Sequence, residues 1–231
     1  MERIDDFSDE RQKAWCIHCG ATLTDANSNR DHAPTKSFLD RPFPHHVPQV
    51  PVCSACNNGF SLDEAYVASF LSCVISESTE PDRQRIASAS RLLTKSPALR
   101  ARIEQSRTVS ADGILCWTPE RERFERIVVK NARGHAFFEL GEPMREDPVA
   151  VAAVPLETLT APMRSHFEAA DWHVWPEVGC RMMSRLATGV GLDKGWVVVQ
   201  PGVYRYAVIQ DGGIVVKSVI RDYLATETRW D

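Results

Sequence analysis

The sequence predicts an α+β chain: an N-terminal metal-braced module, a helical middle and a C-terminal antiparallel β-sheet. Two C-x-x-C pairs, Cys16–Cys19 and Cys53–Cys56, lie near the start. Apolar residues then recur at the three-to-four-residue spacing of amphipathic helices. The last third carries short runs rich in Val and Ile, separated by Pro201-Gly202 and Asp211-Gly212, which are hairpin turn signals. By composition the chain divides into a zinc-bound module over 1–78, a helical and basic connector over 79–147, and a β-rich region over 148–231.

The chain has 231 residues, 43% hydrophobic and 25% charged, which excludes a disordered or collagen-like protein. It contains no run of about 18 apolar residues, so no membrane span is expected. Its first ten residues are polar and acidic, where a secretory signal is basic and then apolar; the expectation is a cytoplasmic protein. A net charge of −4 argues against a nucleic-acid binder taken as an average. Residues 81–134, however, carry twelve basic and six acidic side chains, so the middle could present one basic face.

Seven cysteines in a chain without an export signal read as reduced thiols rather than a disulfide framework. In each C-x-x-C pair the two-residue gap lets both sulfurs reach one ion, and two such knuckles supply the four thiolates of a closed tetrahedral zinc site. A redox C-x-x-C would need a βαβ setting, which neither pair has. The 33 residues between the pairs are more than a small zinc ribbon needs, so a segment is looped out. Cys73, Cys116 and Cys180 are isolated and read as small buried apolar residues.

The looped-out segment is polar and turn-rich and would not fold alone, so zinc binding there is folding free energy, of order 10 kcal/mol. It carries Asp31-His32-Ala33-Pro34, and Asn57-Asn58 follow the second knuckle. Carboxylate and amide oxygens suit a hard divalent cation. Imidazole suits a base that takes a proton from water near neutral pH. Neighbours in an extended chain point to opposite sides, so Asp31 and His32 can serve different walls of one site.

The run Cys16-x-x-Cys19, Asp31-His32-x-Pro34, Cys53-x-x-Cys56-Asn57-Asn58-Gly59-Phe60-Ser61 resembles the HNH endonuclease family in its four-cysteine, zinc-bound form, over about residues 14–70. The resemblance implies a ββα-metal module hydrolysing DNA phosphodiesters. In it Asp31 and Asn57 would hold a catalytic divalent cation (magnesium, manganese or nickel) and His32 would be the general base. The family's middle Asn is missing; His46 is the nearest match by position. A Lys that many members carry after the Cys-Asn is also missing, so Lys36 or Arg41 would supply that cation. The alternative is a catalytically inactive zinc-stabilised module that binds nucleic acid or protein on the same frame. A protein partner or a second copy of the chain is a further expectation.

The remaining elements follow in order. Ser61-Leu-Asp-Glu64 is a capping box, predicting a helix from about 62. Pro81 begins a second helix, with Ile86, Ala89, Leu92 and Leu93 on one face and Arg83, Arg85, Arg91 and Lys95 on the other. Pro97 begins a third. Arg83 and Arg91 are candidate phosphate contacts, with a solvated helix face as the competing reading. Val109–Trp117 reads as a strand. Thr118-Pro119 opens a helix with two candidate ends, Arg133-Gly134 and Leu140-Gly141. Strands are then expected over 149–154, 179–186, 195–199, 203–209 and 213–220, giving a sheet of about four strands, partly covered by helices. His135, His166 and His173 read as structural. Trp172 and Trp175 flank His173 and read as core, with a base-stacking surface as the competing reading.

Overall fold

A computed structural model describes residue 7 and residues 9–231; most of the polar start lies outside them. The elements are α1 (Glu10–Lys13), β1 (Ser28–His32), β2 (Gln49–Cys53), α2 (Ser54–Ser76), α3 (Ala87–Lys95), α4 (Pro97–Gln105), β3 (Arg107–Val109) and β4 (Leu115–Trp117). They continue with α5 (Arg121–Leu140), β5 (Ala150–Pro155), α6 (Ala161–Glu168), α7 (Arg181–Thr188), β6 (Val197–Gln200), β7 (Tyr204–Gln210), β8 (Ile214–Ile220) and β9 (Leu224–Trp230). The fold is α+β, as the sequence predicts. Among the described residues no helix is long and apolar enough to cross a membrane.

The chain forms two compact units: Met1–Gly59 with Val128–Asp231, and Phe60–Ile127. Their limits fall at 59/60 and 127/128, inside α2 and α5, whereas composition placed limits at 78/79 and 147/148.

In the first unit β1 and β2 pair antiparallel, with Ser28 opposite Cys53 and His32 opposite Gln49. β2 runs directly into α2. The part of α5 after Ile127 is buried nearly all round. Its Phe137 and Phe138 share a core with Ile17, Val50 and Val52. Gly134 makes the approach possible: a Cβ there would stand 2.5 Å from the Ala33 Cβ. The C-terminal sheet has the order β5-β9-β8-β7-β6, every pair antiparallel. One face buries Ala207, Val215 and Val219 against Phe167 and Trp196. From the other, Tyr206 stacks on His135 at 3.8 Å between centroids, and Tyr204 Oη lies 2.9 Å from His135 Nε2. Because both faces are covered, β8 is buried along almost its whole length, and its two polar residues find partners there: Lys217 Nζ donates to His166 O and Ala169 O, and Ser218 Oγ accepts from the Tyr204 hydroxyl.

The second unit holds α3, α4 and the β3–β4 hairpin. Its buried Asp63 receives Arg123 at 2.6 Å and Arg126 at 2.8 Å. Arg102, Arg107 and Arg121 pair with Glu120, Glu104 and Glu125, and Arg100 pairs with Glu80. Residues 60–127 carry ten basic and ten acidic side chains, so the excess of positive charge over 81–134 is largely met by acids nearby in the fold.

Several local expectations change. The helix expected from Pro81 begins at Ala87, after a short 3-10 turn over Pro81–Arg83, and Cys116 and Trp175 are exposed rather than buried. Helix α2 starts at Ser54, not 62, because the second knuckle is itself the first helical turn. The span 179–186 is not a strand: Cys180 caps α7 through its sulfur, which accepts from Met183 N at 3.3 Å, and Gly189 closes the helix at φ +72°. Only Met182 of that helix is fully buried, so its alternating pattern had no second face to serve. Val109–Trp117 is a hairpin turning through Gly113 at φ +78° rather than one strand. The sheet gains β9, whose entry turn uses Arg221 and Asp222 at φ +56° and +47° in place of glycine.

Candidate functional site

The two knuckles meet at one point. The sulfurs of Cys16, Cys19, Cys53 and Cys56 all lie within 4.8 Å of one another, and Cys19 Sγ is 3.8 Å from Cys53 Sγ. A tetrahedral zinc with bonds of about 2.3 Å places its sulfurs about 3.8 Å apart, so the four residues fit the ion. Local structure prepares the cluster. Gly20 at φ +70° turns the first knuckle, and its N–H donates to Cys16 O at 2.9 Å. The Ile17 N–H donates to Pro51 O, which ties that knuckle to β2. In the second knuckle the Cys56 N–H donates to Cys53 Sγ at 3.4 Å and holds the Cys53 thiol down at about 7.

Register sets the next pair. Asp31 is buried and His32 half-buried, the alternation expected of neighbours on a strand. The Lys130 ammonium, from α5, stands 3.0 Å from each Asp31 carboxylate oxygen, and His18 Nε2 is 3.9 Å away. Burial pushes the Asp31 carboxyl up, but the His18 contact and the Lys130 charge outweigh it and hold it below its ordinary value. Burial drives His18 the other way and favours its neutral ring.

The His32 ring lies against Gln49 across the hairpin, with Nε2 of each 3.0 Å apart. The amide N–H donates to the ring in the tautomer that carries its proton on Nδ1, so Nε2 is the basic nitrogen. Burial, then the charges of Lys36 and Lys130, lower this imidazole to about 4, so it is neutral near pH 7.

Asn57 stands half-buried one turn into α2; among the described residues no hydrogen bond joins it to Asp31 or His32. His46 is exposed and lines a cavity of about 310 Å³ with His45, Arg185 and Tyr206. Lys36 and Arg41 flank the Phe43 ring, at 6.0 and 4.7 Å from its centroid. Their loop is held by the far sheet. Arg221 clamps the Asp40 carboxylate at 2.7 and 3.1 Å, and the Gln200 side chain bonds both the N–H and the C=O of Asp40. In the second unit, Arg83 and Arg91 are exposed. Arg83 lines a cavity of about 590 Å³ with Glu77, Glu80, Arg100, Glu104 and Arg107.

A catalytic divalent cation does not fit Asp31 as this carboxylate stands. Hard cations bind oxygens at about 2.0–2.6 Å, and an ammonium already sits against both of them.

Three residues of this site escaped sequence reading. His18 carries no signal of its own inside its knuckle, yet that turn brings its ring to Asp31 on β1. Lys130 left one signal, a charge amid the apolar stripe of Phe124, Ile127, Val128 and Ala132. Gln49 left none, since only strand register brings it opposite His32. No protein-family model, curated protein or solved structure matches the chain.

Proposed function

We propose that the chain is a phosphodiester hydrolase of the HNH type that cuts DNA, with His32 as its general base. The observation that carries this reading is the hairpin and helix themselves. β1 bears Asp31 and His32, β2 leads into the second knuckle, and α2 begins there with Asn57 in its first turns. The four sulfurs stand close enough for one zinc ion to join the two knuckles that flank this hairpin, which supports the reading.

The chemistry asked of the residues is specific. Water gives a proton to His32 Nε2, the nitrogen that Gln49 now contacts, and attacks phosphorus in line as the opposite P–O3′ bond breaks and the departing 3′ oxygen takes a proton from solvent. Lys36 acts on His32 through its charge. With Arg41 on the same loop, it supplies positive charge for a phosphate. Arg83 and Arg91, exposed in the second unit, are candidate phosphate contacts of that unit by itself. The Asp31–Lys130 pair favours a second reading: a zinc-stabilised module on the same frame that binds nucleic acid or protein without cutting. The two part on one assay, nicking of supercoiled plasmid by zinc-loaded protein with magnesium, manganese or nickel. Cleavage that His32→Ala abolishes, in a folded protein that keeps its zinc, supports the hydrolase. Equal cleavage by that variant refutes the role of His32, and no cleavage by the parent leaves the binding module.

A further inference from the structure

We infer that Lys130 is the resident cation of Asp31, and that a divalent ion reaches this carboxylate only by displacing the ammonium. The inference rests on the hydrolase reading for its purpose but not for its evidence. Asp31 is 7% exposed and Lys130 3%, so neither charge is compensated by water and each needs the other. The ammonium is central to the carboxylate rather than at its rim, 3.0 Å from both oxygens. It also donates to His32 O at 3.4 Å, which ties it to the strand backbone one residue beyond Asp31.

The backbone enforces this position. Gly134, one turn beyond Lys130 on α5, lets the helix come against Ala33. On the same helix, Asn131 Oδ1 accepts from the Thr35 N–H at 2.9 Å. The segment from Asp31 to Thr35 is therefore fastened to α5 at several points, and Lys130 has little room to move while they hold. A metal ion at the carboxylate would face a like charge inside a buried site, where repulsion is weakly screened. Loading therefore couples ion binding to a local release of Lys130, which sets the ion affinity of the site.

The test uses the full-length, zinc-loaded protein and manganese, followed by the electron paramagnetic resonance signal of the free ion. Lys130→Met removes the charge and keeps an unbranched side chain. The expected result is manganese binding at least roughly tenfold tighter than in the parent, lost again in Asp31→Asn with Lys130→Met. Parent affinity in a folded Lys130→Met protein overturns the inference, as does the absence of binding in both.

Should that variant fail to fold, the parent decides through its 15N-labelled lysine ammonium signals. The Lys130 signal must shift or vanish as magnesium saturates a site that Asp31→Asn abolishes. An unmoved Lys130 signal at saturation overturns the inference. Plasmid nicking separates the two claims: Lys130→Met protein that binds manganese through Asp31 but leaves plasmid intact sinks the hydrolase alone. A parent that nicks while its ion affinity ignores Lys130 sinks the inference alone.

Discussion

Gly134→Ala tests whether α5 is packed on the strand that carries the candidate site. An added Cβ would stand 2.5 Å from Ala33 Cβ, with the next neighbours, Ala33 Cα and Val50 Cγ2, at 3.8 and 3.9 Å. Non-bonded carbons settle at about 3.5–4.0 Å, so the helix or the strand must yield by about 1 Å. Overpacking of this kind costs about 1–3 kcal/mol. Exchanging glycine for alanine inside a helix returns about 0.5–1 kcal/mol. The net expectation is a loss of about 1–2 kcal/mol in urea unfolding of the zinc-loaded protein, with unchanged m-value.

The geometry also specifies the rescue. Ala33→Gly removes the one atom inside contact distance, so the double variant should recover most of the loss. Gly134→Ala as stable as the parent, or a double variant that is merely additive, would refute the packing of α5 against Ala33.

Replacing Cys53 by Ser removes one zinc ligand. It should lower the metal content from one ion per chain towards zero and unfold the N-terminal module, read by a colorimetric zinc assay and circular dichroism, since structural zinc supplies of order 10 kcal/mol. Arg221→Ala breaks two bonds to a half-exposed Asp40 carboxylate and should cost about 1 kcal/mol. Faster amide exchange should be confined to the loop of Lys36 and Arg41; unchanged exchange there would exclude the clamp.

His135 is held neutral by burial, down to about 3, against about 6.5 unfolded. The unfolded chain therefore takes up a proton below pH 6.5 that the fold refuses. This share of the stability is complete above pH 6.5 and falls by up to about 1.4 kcal/mol per pH unit as pH drops towards 3. His135→Gln should flatten the acid limb of urea midpoints between pH 7 and 4.5, and an equally steep limb would show that His135 titrates normally.

Some of this protein is written locally and was legible. The two C-x-x-C pairs name their own ligand set, because a two-residue gap fixes the sulfurs whatever surrounds them. The turns at Gly202 and Gly212, both with positive φ, stand where Pro201-Gly202 and Asp211-Gly212 marked them. The antiparallel sheet between and around them follows from turn chemistry and β-branched runs. What stayed hidden depends on partners distant in the chain. β9 is entered through Arg221 and Asp222, whose left-handed backbone carries no glycine signal; the Arg221 side chain is held instead by Asp40, 181 residues away.

The site divides the same way. Asp31, His32 and Asn57 announce themselves by residue type and by distance from the knuckles. Whether the carboxylate is open to an ion is settled by a lysine 99 positions further on. The sequence by itself determined which groups can ionise, ligate and turn. The tertiary structure decided which of them touch, because strand register and the approach of α5 at Gly134 choose the charge that lies against Asp31.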